Sequence, residues 1–141
     1  MAINLKIQSI IELINTNPIE LDLTGMLRKI PIVKAKELLE LINNNCTNLV
    51  HLKLNDVNLS MLNDDLENVL FDKLIKLEHL ELRNCKLNNI NNIKFPINLK
   101  TIDLSKNVKK LKYNSHNIIC KLLLTLPNLD NVMIEGRGTL D

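Results

Sequence analysis

One run of residues constrains this chain more than any other: Leu77-Glu-His-Leu80-Glu-Leu82-Arg-Asn-Cys85-Lys-Leu87. Leucines stand at its first, fourth, sixth and eleventh places, and a cysteine at the ninth. At its centre Leu80 and Leu82 alternate with Glu81 and Arg83, the period of two expected of a strand with one buried face. The spacing returns elsewhere. Leu49-Val-His-Leu52-Lys-Leu54 is followed by Leu59, and Leu99-Lys-Thr-Ile102-Asp-Leu104 leads to Asn107. Leu129-Asp-Asn-Val132-Met-Ile134 lies near the C-terminus and Pro18-Ile-Glu-Leu21-Asp-Leu23 near the N-terminus. Five short strands are therefore predicted, each too short to be stable unless it pairs with the next.

Aligned on the central strand residue, the repeats fall at positions 21, 52, 80, 102 and 132, so the spacings are 31, 28, 22 and 30 residues. The long intervals leave room for a helix on the far side of the sheet, and the short one only for a turn. Residues 3–15 carry Ile3, Ile7, Ile10, Ile11 and Ile14, a helical stripe that predicts an N-terminal capping helix, and Asn17-Pro18 ends it. A second helix is predicted after Pro31, with Ala35, Leu38, Leu39 and Ile42 facing inward and Asn43-Asn44-Asn45 as its stop. A third is predicted from Asp64, whose spacing to Glu67 matches a capping box, with Leu66, Val69, Leu70 and Leu74 inward. Residues 88–96 are rich in asparagine and predict a loop pinned by Ile90, Ile93 and Phe95. A fourth helix is predicted after Ser115, with Ile118, Ile119, Leu122, Leu123 and Leu126 inward and Pro127 ending it.

The chain has 141 residues and no Gly/Ser-rich break, which predicts a single domain over 1–141 with repeats over about 18–134. Aromatic residues make up only 2%, so Leu, Ile and Val must build the core. A net charge of +2 gives no strong field for nucleic acid or membrane. The sequence lacks both a long apolar span and a signal-peptide pattern, and predicts a cytoplasmic or nuclear protein that is not secreted. Cys46, Cys85 and Cys120 are odd in number and widely spaced, which predicts buried free thiols.

The recurring pattern resembles the intracellular leucine-rich-repeat families. The helix-bearing repeats, and Cys85 at the ninth place, resemble the ribonuclease-inhibitor and cysteine-containing types; the short third interval resembles phosphatase-regulator relatives. The resemblance implies an α/β solenoid, with five parallel strands on a concave face and helices on the convex face. It also implies that the ninth place (Met26, Val57, Cys85, Asn107 and Arg137) ties successive turns together by hydrogen bonds to backbone. Only Cys85 and Asn107 obey that rule, so the ladder should be interrupted at both ends. Tyr113 to Leu129 also resembles the terminal cap of nuclear acidic leucine-rich proteins, which implies a chain complete at its C-terminus.

The function expected of such a scaffold is to bind another protein through its concave sheet. The residues predicted to face the partner are Glu20, Asp22, His51, Lys53, Asn55, His79, Glu81, Arg83, Thr101, Asp103, Ser105 and Met133. Arg83 stands out among them as the kind of residue that anchors interfaces. Asp22, Lys53 and Glu81 should form a charge ladder across three strands. The alternatives are a regulatory or adaptor subunit, of phosphatase or ubiquitin-ligase type, and a self-assembling structural protein, with weak pairing through the C-terminal end. No enzyme, cofactor or metal is expected. His51 and His79 should stand about 5 Å apart on neighbouring strands, but two ligands fall short of a stable metal site. His116 reads as a neighbour of a helix cap. Gly25, Gly136 and Gly138 make no phosphate loop. Lys106, Lys109, Lys110 and Lys112 read as a solvated loop rather than a nucleic-acid site, since only Tyr113 is at hand for stacking.

Overall fold

A computed structural model of the protein describes residues 2–64 and 68–135. The chain runs α1 (Ala2–Asn15), β1 (Glu20–Asp22), α2 (Ile32–Asn45), β2 (His51–Lys53), a 3₁₀ turn (Ser60–Asn63), β3 (Val69–Leu70), β4 (His79–Glu81), β5 (Ile93–Lys94), β6 (Thr101–Asp103), α3 (Lys109–Tyr113), α4 (Ser115–Thr125) and β7 (Asn131–Met133). It is an α/β protein with a five-stranded parallel sheet in the order β1-β2-β4-β6-β7.

The register is the one the repeat alignment predicts. Leu21 pairs with Leu52, Leu52 with Leu80, Leu80 with Ile102 and Ile102 with Val132. The first four of these side chains are buried. Leu23, Leu54, Leu82, Leu104 and Ile134 form the next buried row, two residues on. The period of two thus places two apolar rows on the covered side, with three polar rows opposite. Ile134 is covered, and the tail beyond Glu135 lies outside the described residues.

The first four main strands leave the sheet through the same turn, and the exit of the fifth lies outside the described residues. The residue four places after the central strand position is left-handed in each of the four: Gly25 (φ 73°), Asp56 (φ 66°), Asn84 (φ 54°) and Lys106 (φ 61°). Gly, Asn and Asp are the residues that tolerate this region, and lysine there is uncommon. The turns themselves pair, because the amides of Gly25, Asp56 and Asn84 donate to the carbonyls of Asn55, Arg83 and Ser105.

On α1, Ile10 and Ile14 are buried, Ile7 and Ile11 are half-buried, and the Ile3 side chain lies outside the described residues. On α2, Ala35, Leu38, Leu39 and Ile42 are buried as predicted. α2 ends at Asn45, the last residue of the asparagine triplet. Within it, Asn43 is 4% exposed, and its amide bridges to the Asp72 carboxylate (3.2 Å) and the Lys73 amide (3.0 Å).

The predicted third helix is replaced. A 3₁₀ turn is followed, at Val69–Leu70, by β3, which pairs in parallel with β5, inside the segment read as a loop. Leu66 and Glu67 lie outside the described residues. The physical reason is competition for backbone. The Asn92 side chain donates to the carbonyls of Leu62 (2.9 Å) and Asp64 (2.6 Å), while Val69 and Phe71 donate to the carbonyls of Asn92 and Lys94. Val69 and Phe71 point inward and Leu70, expected inward, is 44% exposed, so the true period here is two. Ile90 and Ile93 are buried as predicted, and Phe95 is half-buried.

The lysine run is also not a loop, since Lys109, Lys110 and Lys112 lie on the short helix α3. On α4, Ile118 and Leu122 are buried and Leu126 follows, but Leu123, predicted inward, is 51% exposed.

Cys85 and Asn107 fill the ninth place as expected. Asn107 is 5% exposed and makes four close bonds to backbone. Its Oδ1 accepts from the amides of Cys85 (2.9 Å) and Leu87 (3.1 Å); its Nδ2 donates to the carbonyls of Leu82 (2.9 Å) and Leu104 (2.8 Å). The Cys85 thiol donates to the Leu54 carbonyl at 3.3 Å, one repeat back. At the preceding repeat Val57 fills the place with an apolar, buried side chain.

Because Asn107 satisfies backbone groups that no water reaches, Asn107→Leu should destabilise the fold by about 3 kcal/mol or more, each orphaned group costing roughly 1–3 kcal/mol. Urea unfolding followed by circular dichroism measures it. A loss below about 1 kcal/mol would show that these backbone groups find other partners.

Candidate functional site

The sheet has one covered face and one open face, and the open face carries all twelve of the predicted contact residues. Its first row runs Glu20, His51, His79, Thr101, Asn131, and its second Asp22, Lys53, Glu81, Asp103, Met133. A third, where the strands leave the sheet, runs Thr24, Asn55, Arg83, Ser105, Glu135. The strands hold these side chains at fixed spacing because each backbone is bonded to its neighbours.

The side chains then bond to one another across strands. His51 and His79 stack, with ring centroids 4.5 Å apart and planes inclined by 18°. His79 Nδ1 lies 2.7 Å from Thr101 Oγ1. A metal held in the plane of both rings requires planes that meet about 2 Å beyond the nitrogens. Near-parallel rings at this separation do not meet there, so the stack presents a flat polar surface rather than a chelate. Among the described residues, no three His, Cys, Asp or Glu side chains gather to hold a metal.

Of the charge ladder, one rung is made: Lys53 Nζ is 3.9 Å from Glu81 Oε2. Asp22 turns to its own strand exit, where its Oδ1 accepts from the Thr24 amide at 3.0 Å. Hydrogen bonds from Thr24, and more weakly the positive charge of Lys53, hold its carboxyl below the usual range. Asp103 repeats this turn with the Ser105 amide at 2.9 Å. Asp103 is 8% exposed, and its charge is met by Arg83, whose Nε lies 3.6 Å from Oδ2. That Nε is buried and donates no hydrogen bond, so Arg83 is held by charge, while its side chain as a whole is 40% exposed.

Asn55 is the hub of the third row. Its Nδ2 donates to Thr24 Oγ1 (3.2 Å) and Glu81 Oε1 (2.8 Å), and its Oδ1 accepts from the Arg83 amide (2.9 Å). The sequence reading missed the rim beyond it. Asp56 Oδ1 accepts from Asn84 Nδ2 (2.8 Å) and its Oδ2 meets Arg28 (3.2 Å); Asp56, Asn84 and Lys106, together with Arg83, line a shallow depression. The available signal was residue type, since Gly25, Asp56 and Asn84, which tolerate the left-handed region, recur at one offset in the sequence.

The cysteines divide. Cys46 and Cys85 are buried, and burial pushes their thiols up to about 11 and about 12 respectively. Cys120, expected buried, is exposed on α4. Its neighbours on that face have no sheet to pack against.

The class defined by the fold is an α/β protein with a five-stranded parallel sheet open on one side. No family model, curated protein or solved structure matches the chain. Among the described residues no helix is long and apolar enough to cross a membrane.

Two outcomes follow from the site. A thiol reagent should label Cys120 quickly in the native protein, and Cys46 and Cys85 only on unfolding; quick native labelling of Cys85 would show the strand register to be wrong. Thr24→Val removes a hydroxyl that favours ionised Asp22, so the Asp22 carboxyl should titrate closer to its ordinary value of 3.8. A lowered folded pKa gives stability that is present above the unfolded value and lost as pH falls through the folded one. The variant should therefore lose that contribution at slightly higher pH. Carboxyl carbon NMR titration checks it, and an unmoved Asp22 would assign the shift to another cause.

Proposed function

We propose that the chain is a short leucine-rich-repeat solenoid whose open sheet is a concave surface that binds another protein, without enzymatic activity. One observation supports this most: the three polar rows are set in register and locked together by cross-strand bonds. A surface whose side chains are already ordered loses little entropy when a partner arrives. The pattern is mixed in sign, with Glu20 and Asp22 at one edge, Lys53 and the histidine stack inside it, the Arg83–Asp103 pair beyond, and Met133 at the far edge. Such mixed charge selects a partner by complementarity rather than by a bulk field. Arg83 and Met133 supply the anchoring contacts, the second being an exposed apolar side chain amid polar neighbours.

The test exchanges charges without removing a pair. Lys53→Glu combined with Glu81→Lys keeps an ion pair while reversing what a partner meets. Lys94→Glu, an exposed change on β5 at the opposite side, is the control. Proteins captured from the native source are compared by mass spectrometry, and the affinity of the retained partner is then measured. The exchange should weaken that partner at least about tenfold, roughly 1.4 kcal/mol, and the control should not. Retention unchanged by the exchange but lost in the control would move the interface to the other side.

A further inference from the structure

Helix α4 reads Ser-His-Asn-Ile-Ile-Cys-Lys-Leu-Leu-Leu-Thr; Asn117, Lys121 and Thr125 make one polar stripe, and apolar residues lie on more than the core-facing side. Ile118 and Leu122 face the core. The opposite stripe is His116, Cys120 and Leu124, spaced by four residues and therefore aligned along the helix. All three are exposed, Leu124 at 86%, with Leu123 beside them at 51% and Tyr113 at 79% just before the helix. A helix apolar on both sides normally has a partner on both sides.

The polar members of the stripe are a matched pair. Cys120 Sγ lies 3.8 Å from His116 Nε2. Tetrahedral zinc, with Zn–S near 2.3 Å and Zn–N near 2.0–2.1 Å, separates its sulfur and nitrogen ligands by about 3.6 Å. The two side chains thus already stand near the bite of one metal ion, without a change of backbone. They supply two ligands of the four that such a site needs, and among the described residues this chain brings no third His, Cys, Asp or Glu to them.

We propose that His116 and Cys120 form half of a zinc site, completed by the same pair from a second copy of this chain. A two-fold axis through the metal gives a Cys₂His₂ tetrahedron from one repeated surface patch. With that axis perpendicular to α4, the two helices run antiparallel and Leu124 of each copy lies toward the Tyr113 end of the other, which covers the unpartnered apolar stripe. Each Cys120 thiol gives its proton to the buffer as the sulfur–metal bond forms, so assembly is favoured as pH rises. No redox step is involved. Two identical half-sites fit the numbers: the metal closes the dimer, and the apolar residues beside it bury what the single chain leaves wet.

The full chain is tested in a non-thiol reductant, with Co²⁺ as the spectroscopic probe and Zn²⁺ for assembly. Co²⁺ should give a thiolate-to-metal charge-transfer band and intense tetrahedral d–d bands that saturate at about one ion per two chains. Sedimentation should show a shift from monomer in chelator to dimer in Zn²⁺, and Zn²⁺ should slow labelling of Cys120 by roughly tenfold or more. His116→Ala and Cys120→Ser should each abolish the band and the dimer. Both positions are exposed, so both variants should keep the parent melting temperature in chelator. Leu124→Ser should keep the tetrahedral spectrum but require more metal for half-assembly. A spectrum without the thiolate band, saturation at one ion per chain with no dimer, or dimerisation of Cys120→Ser in Zn²⁺ would each overturn the proposal, the first two reducing the pair to an ordinary S–H···N contact or a weak single-chain site.

Discussion

A strand of three residues has no stability of its own, and the whole fold depends on how five of them are stacked. The central positions Leu21, Leu52, Leu80, Ile102 and Val132 meet in one row, and that row exists only because the parallel register is kept from β1 to β7. A slip of one residue would turn leucines to water and charges to the core. With one tyrosine, two phenylalanines and no tryptophan, the core has few large side chains to compensate for an error. Register is therefore the quantity that the leucine spacing encodes.

Burying a sheet that twists away into turns raises a second problem, the backbone groups that leave the ladder. The protein meets it with asparagine. Asn107 serves two amides and two carbonyls in the interior, Asn55 links three strands on the open face, and Asn92 holds the chain near Leu62 and Asp64. A side-chain amide carries both donors and an acceptor, so a single residue can close several gaps. The same property makes asparagine a poor member of helix interiors and a good competitor for backbone. It explains why Ser60–Asn63 form a tight turn and Val69–Leu70 a short strand where a helix was predicted.

The proposed binding surface follows from these two constraints. Register fixes where each outward side chain stands, and the cross-strand bonds fix how it points. The histidine stack, the Lys53–Glu81 and Arg83–Asp103 pairs and the Asn55 hub are local chemistry placed by a repeated backbone. The helical side carries a different surface on α4, where apolar residues occur in excess of what the core can cover. The two surfaces share no residue, so each can be tested without disturbing the other.

The sequence by itself determined the five-stranded register, the two apolar rows, helices α1, α2 and α4, and the identity of every residue on the open face. These were legible because period two, period 3.6 and a repeated spacing are one-dimensional signals that survive in a single chain. It also marked Cys85 and Asn107 as the residues tying turn to turn. Tertiary structure alone decided what fills the far side between β2 and β4, where Asp64 to Glu67 carried a helix-start pattern and Val69 and Leu70 read as part of that helix. Pairing with β5, contributed by residues more than twenty positions away, makes Val69–Leu70 a strand. Tertiary structure alone also decided the fate of individual side chains. Asn43 became a buried bridge because Asp72 and Lys73 lie opposite, and Cys120, Leu123 and Leu124 stayed outside because α4 rests on the core along one stripe only. Burial is a property of neighbours, and neighbours distant in the chain are fixed only when the repeats have stacked.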